Sequence, residues 1–122
     1  MLTSIKVNPS KSSTFVEVGK NEFNISYVDG TGSTGDYFQD TLGVSGATLK
    51  SFEMGLGTNT SIPYGLLGIA YANSEANVDT GNGTQYPNFV NALVNSGLIP
   101  TQAYSLWLDD LGKFFWKSPI SK

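Results

Sequence analysis

The chain has 122 residues, a formal net charge of −3 and only 14% charged residues, and it contains no His and no Cys. This length suits one small domain with a single core, and the missing residue types exclude Ser-His-Asp and Cys-His catalysis, thiol redox chemistry and zinc-finger sites. The acidic balance argues against nucleic-acid binding, and no apolar run approaches the roughly 18 residues of a membrane span.

The first predicted elements are strands. Residues 15–18 have the composition of a strand entrance, and residues 19–21, Gly-Lys-Asn, predict a turn. In residues 22–28, EFNISYV, apolar and polar side chains alternate. That period of two is typical of a strand with one buried face.

The next segment predicts a hairpin. Residues 29–35, DGTGSTG, begin with an Asp-Gly pair and are rich in glycine, a composition that favours a turn between antiparallel strands. Residues 36–44 have the pattern of the returning strand. We therefore expect residues 22–44 to form one long β-hairpin with a glycine-rich tip.

The second half mixes strands with one helix. Residues 45–58 predict a turn and a further strand, and the apolar run GLLGIAY within residues 64–72 predicts a buried strand. Residues 86–97 have apolar side chains at helical spacing, with Pro near the start and Gly at the end, which predicts a helix. Residues 103–108, AYSLWL, alternate again and predict a strand.

The order of these motifs resembles that of the pepsin-like aspartic endopeptidases, especially the secreted or cell-surface fungal ones. The resemblance rests on SYVDGTGSTGDYFQDTLGV, GLLGIAY, the helix and AYSLWL, and it covers residues 8–111. It implies an all-β fold: an incomplete N-terminal lobe of an acid protease over residues 1–111, with a flap hairpin and one short helix. Residues 112–122 are expected to be a divergent tail.

The resemblance also implies substrate-binding residues. In that family the hairpin is a flap that closes over the substrate, and its Tyr orients the substrate and lines a specificity pocket; Tyr27 matches this position. Asp29 and Gly30 match the flap tip, which hydrogen-bonds the substrate backbone. Leu66 matches a pocket wall. Val28 departs from the family pattern, which has a small residue after the flap Tyr.

Asp79 lies in an Asp-Thr-Gly triplet, the tripeptide that carries the catalytic carboxylate in this family. The triplet follows the flap and the Leu66 segment, whereas the family's first catalytic loop precedes the flap. The approach to Asp79 is polar and does not resemble a buried strand. We therefore interpret Asp79 as a turn residue, and no catalytic residue is predicted in the chain.

Other carboxylates do not predict a metal site. Asp109 and Asp110 are neighbours that point to opposite faces of an extended strand. Asp36 and Asp40 lie on one side of a strand and would hold a cation only weakly, without a third ligand. No metal and no cofactor is predicted.

The sequence supports three hypotheses about function. The first is a piece of an aspartic-type endopeptidase that hydrolyses peptide bonds at acidic pH and is inactive alone, its partners being a peptide substrate and the missing segments. The second is a non-catalytic, peptide-binding or self-associating β module. The third is a homodimeric protease of the retroviral type in which two copies of Asp79 form the catalytic pair.

Localisation is predicted from the resemblance and from three Asn-X-Ser/Thr triplets in which X is not Pro. The family implies a secreted or cell-surface parent, although the N-terminal residues of the chain lack the apolar core of a signal peptide. The triplets that match the N-glycosylation sequon begin at Asn24, Asn59 and Asn82. They favour a secretory route.

Overall fold

The computed structural model of the chain describes residues 7–76 and 85–105. The described residues form three long strands, one α-helix and two short 3₁₀ turns. The strands are β1 (Val16–Ser26), β2 (Gly32–Val44) and β3 (Ala47–Thr60); the helix is α1 (Phe89–Asn95); the 3₁₀ turns are Pro9–Lys11 and Ala72–Ser74.

The three strands form one antiparallel sheet in the order β1-β2-β3. The hairpin between β2 and β3 closes at the pair Val44 and Ala47. Its two turn residues, Ser45 and Gly46, both have positive φ, 47° and 85°. A turn of this kind matches the right-handed twist of the strands on either side.

The hairpin between β1 and β2 runs from the pair Val16 and Gln39 to the pair Ser26 and Gly32. The turn predicted at residues 19–21 is wrong, because β1 continues through these residues with an irregular register. Asn21 absorbs the irregularity with a φ of 57°, a left-handed conformation that Asn tolerates better than most residues. Its N–H donates to Asp36 Oδ1 at 2.8 Å.

The core lies between β3 and α1. Leu49 and Phe52 of β3 are buried against the apolar side of the helix. The rings of Phe52 and Phe89 meet edge to face with their centroids 6.3 Å apart. The helix predicted over residues 86–97 is confirmed over the shorter span Phe89–Asn95, and Phe89, Val90 and Leu93, which lie at helical spacing, are buried.

The ends of α1 have recognisable signals. Asn88 is the N-cap, and its Oδ1 accepts a hydrogen bond from the N–H of Asn91 at 2.9 Å. The amide group of Asn88 also donates to the carbonyl of Ala70. Gly97 follows the helix with a φ of 72°, which is the conformation that commonly ends a helix.

Residues 61–71 do not form the buried strand that was predicted over residues 64–72. They have no regular secondary structure, and Leu66 and Leu67 are 57% and 48% exposed. The apolar pattern was recognised correctly, but within the described residues no strand pairs with this segment or covers it. Hydrogen bonds between Ser61 and Gly32 hold the start of the segment. Near its end, the carbonyl of Ala70 accepts a hydrogen bond from the side chain of Asn88.

The all-β class with one α-helix is confirmed in the described residues. Residues 103–105 are not in a strand, and the remainder of the strand predicted at 103–108 lies outside the described residues. The tail of residues 112–122 also lies outside them. The division of the chain at residue 111 stays a prediction.

Candidate functional site

The tip of the β1–β2 hairpin is a tight turn. Gly30 N–H donates to the carbonyl of Tyr27 at 3.0 Å, and Tyr27 N–H donates to the carbonyl of Thr31 at 2.8 Å. Gly30 has a φ of 83°, a conformation that costs a side-chain-bearing residue more than it costs glycine. The tip thus occupies residues 27–31, and β2 already begins at Gly32, inside the longer turn predicted at 29–35.

Asp29 stabilises this turn. Its Oδ1 accepts hydrogen bonds from Thr31 N–H at 2.9 Å and from Thr31 Oγ1 at 2.7 Å. The hydrogen bond from the Thr31 side chain, followed by the one from its backbone, lowers the pKa of Asp29. Asp29 therefore remains a carboxylate in more acidic solution than an ordinary Asp, and its two hydrogen bonds with Thr31 stabilise the turn.

Tyr27 lies at the entrance to the turn. The side chain is 38% exposed, and its partial burial raises the pKa of the hydroxyl. A phenol is already neutral in acidic and neutral solution, and the raised pKa only extends to higher pH the range in which it can donate a hydrogen bond. The following residue, Val28, is fully exposed, so the backbone of the tip is accessible to a ligand.

Three of the four predicted substrate-binding residues, Tyr27, Asp29 and Gly30, are together in this turn. Leu66 lies in the separate segment of residues 61–71 and is exposed. That segment starts beside the base of the tip, because Ser61 N–H donates to the carbonyl of Gly32 at 3.1 Å.

Asp79 lies outside the described residues, as do Asp109 and Asp110. Asp36 and Asp40 already accept hydrogen bonds from the chain: Asp36 from Asn21 N–H, and Asp40 from the hydroxyls of Ser12 and Thr14 and from Thr41 N–H. Within residues 7–76 and 85–105, no group of three or more His, Cys, Asp or Glu residues is arranged to hold a metal ion.

Three titratable side chains that no sequence motif marks lie together, those of Tyr37, Glu75 and Tyr86. Tyr37 is buried, and its ring meets that of Tyr86 edge to face with the centroids 5.7 Å apart. The Tyr86 hydroxyl hydrogen-bonds Glu75, yet burial outweighs this contact and raises the pKa of the Glu75 carboxyl. Burial likewise raises the pKa of Tyr86 far above its ordinary value.

No local pattern identifies this cluster, because its members come from β2 and from two loops that are distant in sequence. The Tyr37 hydroxyl is buried beside that of Tyr86 and makes no well-formed hydrogen bond within the described part of the chain. The arrangement buries the Tyr37 hydroxyl and partly buries Glu75 and Tyr86 beside the middle of β2. It contains one carboxylate and therefore lacks the paired carboxylates of an acid protease.

A cavity of about 320 Å³ lies between β3 and α1. Its polar lining includes Gln39, Glu53, Tyr86 and Asn95. None of the four predicted substrate-binding residues lines it. The accessible hairpin tip, rather than this cavity, is therefore the candidate site.

None of the helices in the described residues is long and apolar enough to cross a membrane.

A protein-family model matches most of the chain. The model of the family described as "Eukaryotic aspartyl protease" matches residues 3–114. The match includes the hairpin, the segment of residues 61–71 and α1.

Several curated fungal proteins are similar to the chain. It is 49% identical over 102 residues to "Probable aspartic-type endopeptidase OPSB" of Arthroderma benhamiae, covering 84% of this chain and 21% of that protein. It is 47% identical over 105 residues to "Probable aspartic-type endopeptidase opsB" of Aspergillus oryzae, covering 86% and 21%. It is 40% identical over 101 residues to "Secreted aspartic protease 1" of Candida albicans, covering 83% and 24%. The chain thus spans about a fifth to a quarter of the length of these relatives.

Proposed function

Because the chain belongs to the eukaryotic aspartyl protease family, we propose that it supplies the substrate-binding flap of a secreted aspartic-type endopeptidase that cleaves peptide bonds at acidic pH. The observation that carries the proposal is the hairpin of β1 and β2, whose tip is fixed by its own hydrogen bonds and is accessible from solvent. The names of the relatives support the endopeptidase activity, and that of the Candida protein supports secretion.

The flap acts by holding an extended peptide. Such a peptide is bound through its backbone, while alternate side chains enter pockets. An added Cβ on Gly30 would meet no atom within 4 Å, so a peptide backbone has room to approach the tip there. The Tyr27 ring and the exposed Leu66 side chain provide apolar surfaces for the residues that flank the cleaved bond.

Hydrolysis in this family needs two carboxylates that share one proton, since two like charges in contact cannot both ionise. We assign neither role to Asp79, because its triplet follows the flap and is approached by polar residues. In this proposal, the two carboxylates come from other parts of the whole protein. The flap positions the peptide above them and limits the access of water.

The role of Tyr27 is tested by cleavage of an unfolded protein at pH 3 to 5, with the whole protein that contains this chain. Tyr27→Ala is expected to lower kcat/KM by about 10- to 100-fold, because a misplaced substrate loses much of the benefit of orientation. Tyr104 is 52% exposed and lies outside the hairpin, so Tyr104→Ala is the matched control and should leave kcat/KM unchanged. Equal loss in both variants would contradict the proposed role of the flap.

The assignment of Asp79 is tested by Asp79→Asn in the same assay, with the whole protein and with the 122-residue chain alone. We expect the whole protein to keep its activity and the chain alone to have none in either form. Activity of the chain alone that is lost in Asp79→Asn would replace our proposal with a homodimeric protease of the retroviral type.

Self-association is a second candidate, favoured by one specific observation. The segment of residues 61–71 exposes large apolar side chains, those of Tyr64, Leu66, Leu67 and Tyr71. Surfaces of this kind often contact another polypeptide. Sedimentation of the chain over a range of concentrations tests this candidate, which requires a defined dimer that Leu66→Ser weakens.

A further inference from the structure

The two outer strands of the sheet contain sequons in matching register. Asn24 of β1 pairs with Thr34 of β2, and Thr34 pairs in turn with Asn59 of β3. Because β1 and β3 are both antiparallel to β2, they run in the same direction. The two sequons, residues 24–26 and 59–61, therefore lie side by side across the sheet.

The third residues of the two sequons are also aligned. Ser26 pairs with Gly32. Ser61 Oγ accepts from Gly32 N–H at 2.9 Å and donates to the Gly32 carbonyl at 3.2 Å. The hydroxyl-bearing residues thus flank Gly32 in the same way as the two asparagines flank Thr34.

Both asparagines lie on the same exposed side of the sheet, close to the tip of the β1–β2 hairpin. Phe23 and Ile25 are partly buried, whereas Asn24 is exposed, as alternation along a strand requires. Thr34 is exposed between two buried neighbours, and Asn59 is also exposed. Directly paired residues share a face of the sheet, so Asn24 and Asn59 project from the same face, about 10 Å apart at two strand spacings.

We propose that Asn24 and Asn59 are both N-glycosylated, so that two glycans cover one face of the three-stranded sheet beside the tip of the β1–β2 hairpin. In the transfer, the Asn amide nitrogen bonds to C1 of a lipid-diphosphate-linked oligosaccharide, the bond from C1 to the diphosphate breaks, and the amide nitrogen loses a proton. The oligosaccharide donor belongs to the secretory route, so this inference rests on the secretion in the proposed function.

Two other exposed asparagines of the chain do not belong to sequons and serve as comparisons for Asn24 and Asn59. Asn8-Pro9-Ser10 has the same spacing and is exposed, but Pro at the middle position excludes it as a sequon. Asn95 is exposed and is followed by Ser and Gly, so it is not a sequon either. These two asparagines are negative controls from the same fold.

The glycans would also hinder the pairing of another strand with the edges of the sheet. Within the described residues β1 and β3 are the outer strands of the sheet, and an unpaired edge is a template for another strand. A bulky, soluble glycan on each outer strand obstructs such pairing near the tip. The opposite face, towards which Phe23 and Ile25 point, stays free of sugar.

The experiment is secretion of the whole protein from a yeast host behind a host leader peptide, followed by peptide mass analysis. Enzymatic release of the glycans in heavy-oxygen water converts each modified Asn to labelled Asp. We expect label at Asn24 and Asn59 and none at Asn8 or Asn95. Asn24→Gln and Asn59→Gln should each remove one glycan mass, whereas Ser26→Thr and Ser61→Thr should retain both glycans.

Pro9→Ala creates a sequon at Asn8 and should add one glycan, which shows that the host modifies an exposed site in this region. Unmodified Asn24 or Asn59 in that protein overturns the inference. This experiment measures peptide mass and does not depend on protease activity. A protein that is glycosylated at both positions but has no protease activity would therefore contradict the proposed activity and leave the glycosylation inference intact.

Discussion

The ring of Phe23 in β1 lies over Gly55 in β3, with β2 between the two strands. An ideal Cβ built on Gly55 would lie 2.4 Å from the ring carbon Cε2 of Phe23, well inside van der Waals contact. The same ring meets Tyr37 of β2 edge to face, with the centroids 5.4 Å apart. One aromatic side chain therefore joins all three strands, and it does so only because residue 55 has no side chain.

Gly55→Ala is expected to destabilise the protein by about 1–3 kcal/mol, because the added methyl group overlaps the Phe23 ring and forces that side chain or the strand to shift. The measurement is the free energy of unfolding in urea. Gly43→Ala is the matched control, because Gly43 lies in β2 and its added Cβ would meet no atom within 4 Å.

A double mutant separates the steric clash between Ala at position 55 and the Phe23 ring from the intrinsic strand preference of Ala. In a Phe23→Leu background, the effect of Gly55→Ala should shrink, because two residues in contact do not contribute independently. An unchanged effect of Gly55→Ala in that background would show that Phe23 is not its cause.

The hydrogen bonds of Asp40 predict that the stability of the sheet depends on pH. Its Oδ1 accepts hydrogen bonds from Thr14 Oγ1, from Ser12 Oγ at 2.9 Å and from Thr41 N–H at 2.7 Å. These bonds, with that from Thr14 the largest contributor, lower the pKa of Asp40 below its ordinary 3.8. A lowered carboxyl pKa stabilises the folded state above the unfolded value, and this stabilisation is lost as the pH falls through the folded value.

Asp40→Asn should therefore be less stable than the wild type at pH 6, and the gap should close as the pH falls from about 4 towards 2. Urea midpoints at pH 6, 4 and 2 measure this gap. Glu17→Gln, which removes an exposed carboxylate from β1, is the control. A gap that stays constant from pH 6 to 2 would mean that the Asp40 charge is not responsible.

The sequence predicted what local patterning controls. Alternation at Phe23 and Ile25, together with the Asp29-Gly30 pair, indicated the hairpin because one face of it is buried and its turn needs a positive φ. The spacing of Phe89, Val90 and Leu93 indicated α1 because the helix buries that side. In both cases the determinants of the element lie within the element itself.

Features set by distant residues were not predictable in this way. The run at residues 65–71 looks like a buried strand, but burial requires covering neighbours, and within the described residues Leu66 and Leu67 stay 57% and 48% exposed. The bulge at Asn21 depends on Asp36 across the hairpin. Tyr37 and Tyr86 meet only in the folded chain, so no spacing in the sequence marks them as a pair.

Glu75 is a carboxyl with the opposite pH behaviour to Asp40. Burial raises its pKa above the ordinary 4.5, although the hydrogen bond from Tyr86 partly offsets the shift. Ionised Glu75 therefore opposes folding at neutral pH, and this cost disappears as the pH falls through the raised pKa to below 4.5.

Glu75→Gln keeps a hydrogen-bond acceptor for Tyr86 and has no charge, so it should be more stable than the wild type at pH 7. The difference should vanish at about pH 3, where Glu75 is protonated in both the folded and unfolded states. Thermal midpoints at the two pH values measure it. Glu53→Gln is the comparison variant, because Glu53 is also a carboxylate that accepts a hydrogen bond from a neighbouring side chain, that of Gln39 at 3.2 Å. A stabilisation of Glu75→Gln that persists at pH 3 would rule out the charge as its origin.

Asn88 connects the helix to the exposed apolar segment. It is 3% exposed; its Oδ1 caps α1 at Asn91, and its Nδ2 donates to the carbonyl of Ala70. Asn88→Ala should cost about 2 kcal/mol of unfolding free energy, since it removes a cap worth about 1 kcal/mol and a buried hydrogen bond worth about the same.

Asn88→Ser separates the two roles of this side chain. Its hydroxyl can still cap the helix but is too short to reach Ala70, so hydrogen exchange should remain slow in α1 while proteolysis of residues 61–71 becomes faster. Asn88→Ala should accelerate both, and Asn95→Ala, at the exposed end of the helix, should accelerate neither. If Asn88→Ser leaves the cleavage rate of residues 61–71 unchanged, Asn88 acts on the helix alone, and the bond to Ala70 does not hold that segment in place.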